Sequence, residues 1–490
     1  MTNRPNILWY CSDSQRFDTI GALGNPGIHT PRLDKFVQES VAFTHVYCQS
    51  PICTPSRASF LTGMYPNAVS VNGNGNADFP RHYQDRLVTH RLARTGYDCG
   101  LVGKLHLASA GHGQENRVDD GYRYFQYSHD YRRPDLAGHD YAQWLRSQGE
   151  NLEDLMDELR PENYRKGAED KSFAGVYEPT ADEDNIPPHL HQTHWCTDMA
   201  IEFIQENRPV DQPWLLSINP FNPHPPFDPP WEYFRRYDPA TLPGAHFEES
   251  DLKHQHRLAA AGIDFQSRPK HPEEWNHRMI QASYYAMIEQ IDHEFGRLLD
   301  YLEETGQREN TLVIFMSDHG DALCDHGLLL KGCRFYEGSV RVPLLISWPG
   351  RFQQGVVSEA LVELIDLVPT FYDILDIDIP YYIQGKSLLP VLTGQSSAES
   401  HRAAVRSECY GALDFPDQTH ATMYRDRQWK LVSYHQKNIL ELYDLENDPW
   451  EHHDLSEDSD YQVIKWDLMR KNFDATVYAH PPVPPRAFPF

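Results

Sequence analysis

Five short apolar runs punctuate the chain, and each gives way at once to polar residues. "NILWYCSD" closes on Asp13, "YDCGLVGKLH" on Lys104 and His106, and "TLVIFMSDHGD" on Asp318 and His319. "PWLLSINPFNPH" leads to His224, and "VRVPLLISWPG" is the fifth run. Runs that are continuous rather than alternating predict strands buried on both faces of a mainly parallel sheet. Helical stretches lie between them. "TPRLDKFVQESVAF" has Thr30 at a cap position and Pro31 in the first turn. From Glu274 to about Gly306, Met279, Ala282, Tyr285, Ile288, Ile291, Phe295, Leu298 and Leu302 recur at helical spacing. The alternation predicts an α/β protein with a large central sheet flanked by helices. Ligands of such sheets gather beyond the carboxyl ends of the strands. Asp13, Lys104, His106, His224, Asp318 and His319 therefore converge on one expected site.

Other segments set the organisation. Residues 111–188 combine a Tyr-, Arg-, His- and Asp-rich stretch with an acidic one lacking apolar period, and read as insertions around the mouth of the site or as a solvated surface loop. Near Thr393–Ser400 the composition turns small and polar, as in a linker. Beyond it "RQWKLVSY" and "ILELYDLENDP" read as paired strands, and "HPPVPPRAFPF" as an extended arm. The expected division is a catalytic domain over 1–395 and a small α+β subdomain over 396–490, with a small antiparallel sheet and a proline-rich tail.

Charge narrows the partners. Among 490 residues, 71 acidic against 44 basic side chains give a net charge of −27, which argues against nucleic acid and anionic membranes. No stretch approaches the length of a membrane span. The eight cysteines form no CxxC pair and no dense framework, which fits a reducing compartment. The first residues pass almost directly into a strand without a signal-peptide pattern. A cytoplasmic location is the expectation.

The chemistry-bearing residues then fall into three groups. Asp13, Asp318 and His319 offer two carboxylates and an imidazole at strand ends, a donor set for Ca²⁺, Mn²⁺ or Mg²⁺; singly, each aspartate could instead cap a turn. Arg57, Lys104 and Lys331, with His106 and His224, would make a positive pocket in an acidic protein, which suits an oxyanion substrate. Cys53 lies in "SPICTPSRASFLTG", just before a predicted helix whose amino-terminal end favours a thiolate. A thiolate attacking a sulfate ester would form a sulfur–sulfur adduct with no easy exit, so something better suited is needed at this position.

"CTPSRASFLTGMYP" resembles the signature of the type I sulfatases, within the alkaline-phosphatase-like superfamily. The resemblance runs through "SDSQRFDTIGALGN", "TPRLDKF", "TGYDCGLVGKLHL", "NPHPPFDPP", "SDHGDALCDHGLLLKGCRFYEGSVRVPLLISWPG", "DLVPTFYDIL" and "LYDLENDPWEHHDL", and so covers most of the chain. It implies an alkaline-phosphatase-like sandwich fold and the hydrolysis of a sulfate monoester of a carbohydrate or aryl alcohol. It implies conversion of Cys53 to Cα-formylglycine by a formylglycine-generating enzyme, with Pro55 and Arg57 as recognition elements. The hydrated aldehyde attacks sulfur, and its second hydroxyl then expels sulfate from the hemiacetal. By the same resemblance, Asp13, Cys53, Asp318 and His319 hold one divalent metal. Arg57 orients the diol, Lys104 binds sulfate, and His106 is the base for sulfate release. His224 and Lys331 hold the leaving oxygen, and Asn72 is a further substrate-binding position.

Two departures keep alternatives open. Many sulfatases carry two adjacent aspartates where this chain has Asp13–Ser14, and Asp–Asn where it has Asp318–His319. Both features resemble the phosphonate monoester hydrolases and choline sulfatases, which leaves Ca²⁺ and Mn²⁺ as rivals and a phosphonate or phosphodiester substrate in play. "GKLH" and "CTPSR" favour the sulfatase reading. A protein whose Cys53 stays a thiol would be an inactive metal- and anion-binding shell. The oligomeric state is not legible, and a homo-oligomer stays open.

Overall fold

The strand β1 (Asn6–Ser12) shows why the apolar runs are continuous. All seven of its residues are buried. Ile7, Trp9 and Cys11 enter one hydrophobic cluster, while Leu8 and Tyr10 enter another. Successive side chains of a strand point to opposite faces, so a strand covered on both sides must be apolar throughout. The computed structural model describes residues 4–75, 78–109, 115–129, 138–150, 186–207, 212–263, 265–413, 418–480 and 483–484.

The other strands of the main sheet are β2 (Val41–Tyr47), β3 (Asp98–Gly103), β4 (Tyr124–Tyr127), β5 (Trp214–Asn219), β6 (Thr311–Ser317), β7 (Arg341–Ser347) and β8 (Val356–Glu363). Their order is β4-β3-β5-β1-β6-β7-β2-β8. Only β7 runs against its neighbours, β6 and β2; every other pair is parallel. The carboxyl ends of β1, β2, β3, β5 and β6 therefore open along one edge.

Helices cover both faces. One face packs under α1 (Pro31–Gln38), α4 (Gln192–Glu202) and α6 (His277–Glu304), through Phe36, Trp195, Phe295 and Leu298. The Phe295 ring meets Tyr10, Phe36 and Phe315 at centroid distances of 5.4, 5.1 and 5.1 Å. The other face packs under α2 (Cys53–Thr62) and α7 (Leu367–Ile374), with Phe60 and Phe371 at 5.5 and 5.2 Å from Trp9. Among the described residues, the remaining long helices are α3 (Asp140–Ser147), α5 (Glu249–Ala260) and α8 (Gln462–Tyr478).

A second, antiparallel sheet of four strands follows, in the order β12-β11-β10-β9. Its members are β9 (Val405–Tyr410), β10 (His420–Arg425), β11 (Trp429–Tyr434) and β12 (Ile439–Asp444). Helix α8 packs on it through Leu468, against Leu431 and Leu442. Lys430 of β11 is fully buried, and its ammonium lies 2.7 Å from Glu337 and 2.6 Å from Glu451 and donates to the Phe335 carbonyl at 2.8 Å. Glu337 belongs to the connection between β6 and β7, so this ion cluster ties the small sheet to the main domain.

Several expectations need correcting. The stretch "TPRLDKFVQESVAF" is not helical throughout: α1 ends at Gln38, and Val41 opens β2, where pairing with both β7 and β8 overrides local propensity. Thr30 is the N-cap of α1, as expected, but its hydroxyl donates to Asp34 at 3.1 Å and accepts none of the helix's first amides. Asp292 of α6 accepts the Arg32 and Leu33 amides instead, at 3.1 and 2.6 Å. Burial pushes the Asp292 carboxyl up to about 7 despite those two amides. The long helix starts at His277, not Glu274, because left-handed Asn276 (φ 54°) separates it from a turn of 3-10 helix at Pro272–Trp275. Parts of the region read as an insertion belong to the core, since β4 is the edge strand of the main sheet and α3 buries Tyr141 and Leu145. The acidic stretch over 151–185 and most of the proline-rich tail lie outside the described residues.

The Lys430 cluster makes the first prediction. Lys430→Met leaves buried Glu451 without its cation and Glu337 with Arg341 alone, at 3.3 Å, and removing one partner of a buried pair costs about 3–5 kcal/mol. A lowered melting temperature, with loss of the small sheet's protection in hydrogen exchange, is the expected outcome; an unchanged melt would refute it.

Candidate active site

Each site residue sits where a strand stops. Asp13 follows β1, Lys104 and His106 follow β3, His224 lies beyond β5, and Asp318 and His319 follow β6. Lys331 belongs to the β6–β7 connection. Cys53 is the first residue of α2, which enters after β2, so the helix begins at the cysteine itself rather than behind it. Close backbone approach fixes the β3 end: Gly103 has φ +98°, and a Cβ there would stand 2.1 Å from the Asn219 carbonyl of β5. Beside it, the Lys104 amide donates to the same carbonyl at 2.9 Å. Ser14 and His106, directly after these turns, hold left-handed φ values of 66° and 55°.

The side chains meet in one buried cluster. Cys53 Sγ lies 3.0 Å from His319 Nε2, 2.9 Å from Lys331 Nζ and 3.9 Å from an Asp13 oxygen. Arg57, one helical turn after Cys53, donates to Asp318 at 2.9 Å and to the Lys104 carbonyl at 3.0 Å, and reaches Asp13 at 3.5 Å. The Lys104 ammonium bonds the same Asp13 oxygen. Each aspartate thus spends Oδ2 on cations. Its Oδ1 faces the cluster, 3.9 Å from His319 Nε2 in both cases. His319 Nδ1 lies 2.7 Å from the Gly320 carbonyl, which can only accept, so Nδ1 carries a proton and Nε2 is the nitrogen that faces Cys53.

Electrostatics follow from the crowding. Burial and Asp13 push the Cys53 thiol up, but Lys104, Lys331 and His319 outweigh them and hold it well below the ordinary thiol range. Burial would raise Asp13, yet the cations Lys104, Lys331 and Arg57 keep it well below the carboxylate range. Burial opposes the charge on Lys331, while Cys53 and Asp13 hold its ammonium above its ordinary value. His106 is pushed well down by burial, then by Lys104 and Arg57, so its ring is neutral. His224 is likewise pushed down by burial and Lys331.

The donor set fits a divalent cation with one exception. Asp13, Cys53, Asp318 and His319 each offer one ligand atom, all within 4.8 Å of one another. Two carboxylates and an imidazole suit a hard or borderline ion, which takes oxygen by preference. The sulfur of Cys53 is the misfit, and an oxygen at that position would complete the set.

A wall of rings flanks the cluster, and sequence reasoning missed part of it. The His106 ring stands edge-on to His129 at 4.4 Å; His129 lies 5.9 Å from Phe221, and Phe221 4.6 Å from His224. The Lys104 ammonium lies 5.3 Å from the Phe221 ring centre. Both His106 Nδ1 and His129 Nε2 are buried without a hydrogen-bond partner. His129 follows the carboxyl end of β4, so the rule that found the other residues would have found it had "YFQY" been read as a strand. Glu115 is a second omission: burial raises it to about 8, and it accepts the Leu107 amide at 3.3 Å, steadying the loop that carries His106. Asn72 is half-buried, and its amide oxygen finds no partner. It is Asn74 that accepts the Thr54 amide, at 2.9 Å.

Comparison with known proteins converges on one group. The chain is 30% identical to an arylsulfatase of Clostridium perfringens, over 96% of this chain and 93% of that protein. It is 29% identical to a choline-sulfatase of Rhizobium meliloti, over 97% of this chain and 89% of the relative. Its fold matches the phosphonate monoester hydrolase of Agrobacterium radiobacter with a TM-score of 0.77 at 24% identity, covering 99% of this chain and 100% of that one. The carboxy-terminal family model of N-sulphoglucosamine sulphohydrolase matches residues 324–476. With the sulfatase family model matching residues 5–377, across every strand end that supplies the buried cluster, the chain belongs to the sulfatase family of the alkaline-phosphatase-like superfamily and is a sulfuric ester hydrolase.

Proposed function

We propose that the protein hydrolyses a sulfate monoester of a carbohydrate or aryl alcohol, using Cα-formylglycine formed from Cys53 by a formylglycine-generating enzyme. The observation that carries this reading is the sulfur at the centre of a cluster otherwise suited to oxygen. Replacing the thiol by a hydrated aldehyde turns the misfit into a matching ligand and a nucleophile. Asp13, Asp318, His319 and residue 53 would hold a Ca²⁺ or Mn²⁺ ion. An ion held there would supply Lewis-acid chemistry, favouring an ionised oxygen at position 53 and developing charge on the sulfuryl group.

The protein's own groups divide the remaining work. Arg57 fixes Asp318 and Asp13 and orients the nucleophile. Lys104 binds a sulfate oxygen. Lys331, whose ammonium stands beside residue 53, protonates the leaving alcohol. His224 cannot do so while neutral: its Nδ1 lies 2.7 Å from the Pro225 carbonyl, which leaves only the Nε2 lone pair. It holds the alcohol as an acceptor. His106, neutral and buried, is the base for sulfate release. The wall of His129, Phe221 and His224 suits a ring-bearing alcohol. The eight cysteines are all buried and none forms a disulfide, which supports a reducing, cytoplasmic setting. No helix among the described residues is long and apolar enough to cross a membrane.

A second reading is favoured by Asp13–Ser14, by Asp318–His319 and by the fold shared with a phosphonate monoester hydrolase. Under it the substrate is a phosphonate monoester or phosphodiester. One screen separates the two: sulfated sugars, aryl sulfates, choline sulfate and phosphonate monoesters, each with and without added Ca²⁺ or Mn²⁺. Higher kcat/KM on phosphonates would overturn the sulfate reading.

Three outcomes test the roles. Co-expression with a formylglycine-generating enzyme makes the protein reactive to an aldehyde-specific hydrazide, and Cys53→Ala abolishes both labelling and turnover while the fold is kept. Wild-type hydrolysis by that variant would end the proposal. Asp318→Asn and His319→Ala each lose bound metal as well as activity, measured by elemental mass spectrometry on desalted protein; full occupancy in both would show that the cluster is not a metal site. His106→Ala loses general-base assistance worth about 10²–10⁴ in rate, concentrated in sulfate release. It should therefore give a stoichiometric burst of alcohol from an aryl sulfate and a protein heavier by one sulfate group. Slow alcohol release from the first turnover, with no adduct, would move His106 to the bond-breaking step.

A further inference from the structure

Away from the active site, three segments bring a second donor set together. Asp251 comes from α5, His326 from the β6–β7 connection, and His452 from the chain after β12. We propose that Asp251, His326 and His452 bind a zinc ion that pins the carboxy-terminal segment to the connection between His319 and Lys331.

The geometry is that of a metal site with its ligands already gathered. His326 Nδ1 lies 3.4 Å from Asp251 Oδ1, and His452 Nδ1 lies 3.0 Å from Asp251 Oδ2. With zinc–ligand bonds of 2.0–2.1 Å, neighbouring donors of a tetrahedron stand about 3.3 Å apart. Each imidazole nitrogen stands close to that distance from the carboxylate, His326 at one oxygen and His452 at the other. All three ligand atoms fall within 4.8 Å of one another.

The surroundings hold the donors in place. Asp251 Oδ2 accepts the Glu248 amide at 2.8 Å, which orients the carboxylate as the partners of metal ligands do. The His326 ring stacks on Tyr336 at 3.8 Å between centroids, with 17° between planes. Its amide donates to the His246 carbonyl at 3.0 Å. Asp251 and His326 are buried, each 3% exposed, whereas the His452 side chain keeps 13% of its surface in solvent and gives an ion a way in. Two imidazoles and one carboxylate are the ligands of a zinc site with water in the fourth position.

The site differs from the candidate active site in residues, in ligand chemistry and in consequence. It shares none of Asp13, Cys53, Asp318 or His319. It would act on the connection that carries His319 at one end and Lys331 at the other, where Leu323, Cys324, His326 and Leu330 all hold left-handed φ values, from 47° to 75°. An ion on His326 fixes the middle of that run.

Full-length protein is stripped with a chelator, reloaded with zinc and desalted, and its zinc is counted by elemental mass spectrometry in wild type, His452→Ala and His452→Gln. The exposed edge of His452 lets both variants fold, checked by circular dichroism. The expected result is one zinc equivalent fewer in each variant, and a zinc-dependent rise in melting temperature several degrees smaller than in wild type. Cobalt in place of zinc gives a tetrahedral d–d absorption band in wild type that both variants weaken by one cobalt equivalent. Equal zinc content in the three proteins, with equal melting shifts, overturns the proposal.

Discussion

Arg57 is the group on which the site depends. Its guanidinium is buried, with 1% of the side chain exposed, and spans the ends of β1, β3 and β6 through Asp13, the Lys104 carbonyl and Asp318. A buried charge is tolerated only when paired and hydrogen-bonded on every side. Arg57 meets that demand by drawing three loops together. The same contacts use one oxygen of each aspartate and leave the other facing the cluster. The positions of the carboxylates and the helix that carries Cys53 are thus set by one side chain, before any substrate arrives.

The second constraint is the connection between β6 and β7. It begins with Asp318 and His319, passes Lys331 and ends against the small sheet, where Glu337 meets Lys430. The carboxy-terminal sheet therefore does more than cover apolar surface. It buttresses the segment that supplies three residues of the cluster.

Much of this was legible in the sequence because β1, β3, β5, β6 and β7 are buried on both faces, and unbroken apolar runs leave little ambiguity. The residues at their ends were found by the same signal. What escaped was set by distant contacts. Nothing local marks "VAFTHVY" as a strand, since its partners β7 and β8 lie some 300 positions later. Nothing local names Asp292 as the cap of α1. His129 was hidden because β4 has only four residues, two of them half-buried. Asn72 and Asn74 lie two apart in a run of alternating Asn and Gly, where only the fold selects the one that meets α2.

The placement of β1 has a consequence for biosynthesis. This strand lies between β5 and β6, so its two edges stay unpaired until those later segments have been made. His319, which closes the cluster over Cys53, follows it by 266 residues. At a synthesis rate of 5–20 residues per second that interval is about 13–50 s. In the finished protein Cys53 is 1% exposed, beyond the reach of another enzyme. Any maturation of this cysteine therefore needs a chain whose cluster has not yet closed, and its yield is a race between a modifying enzyme and folding.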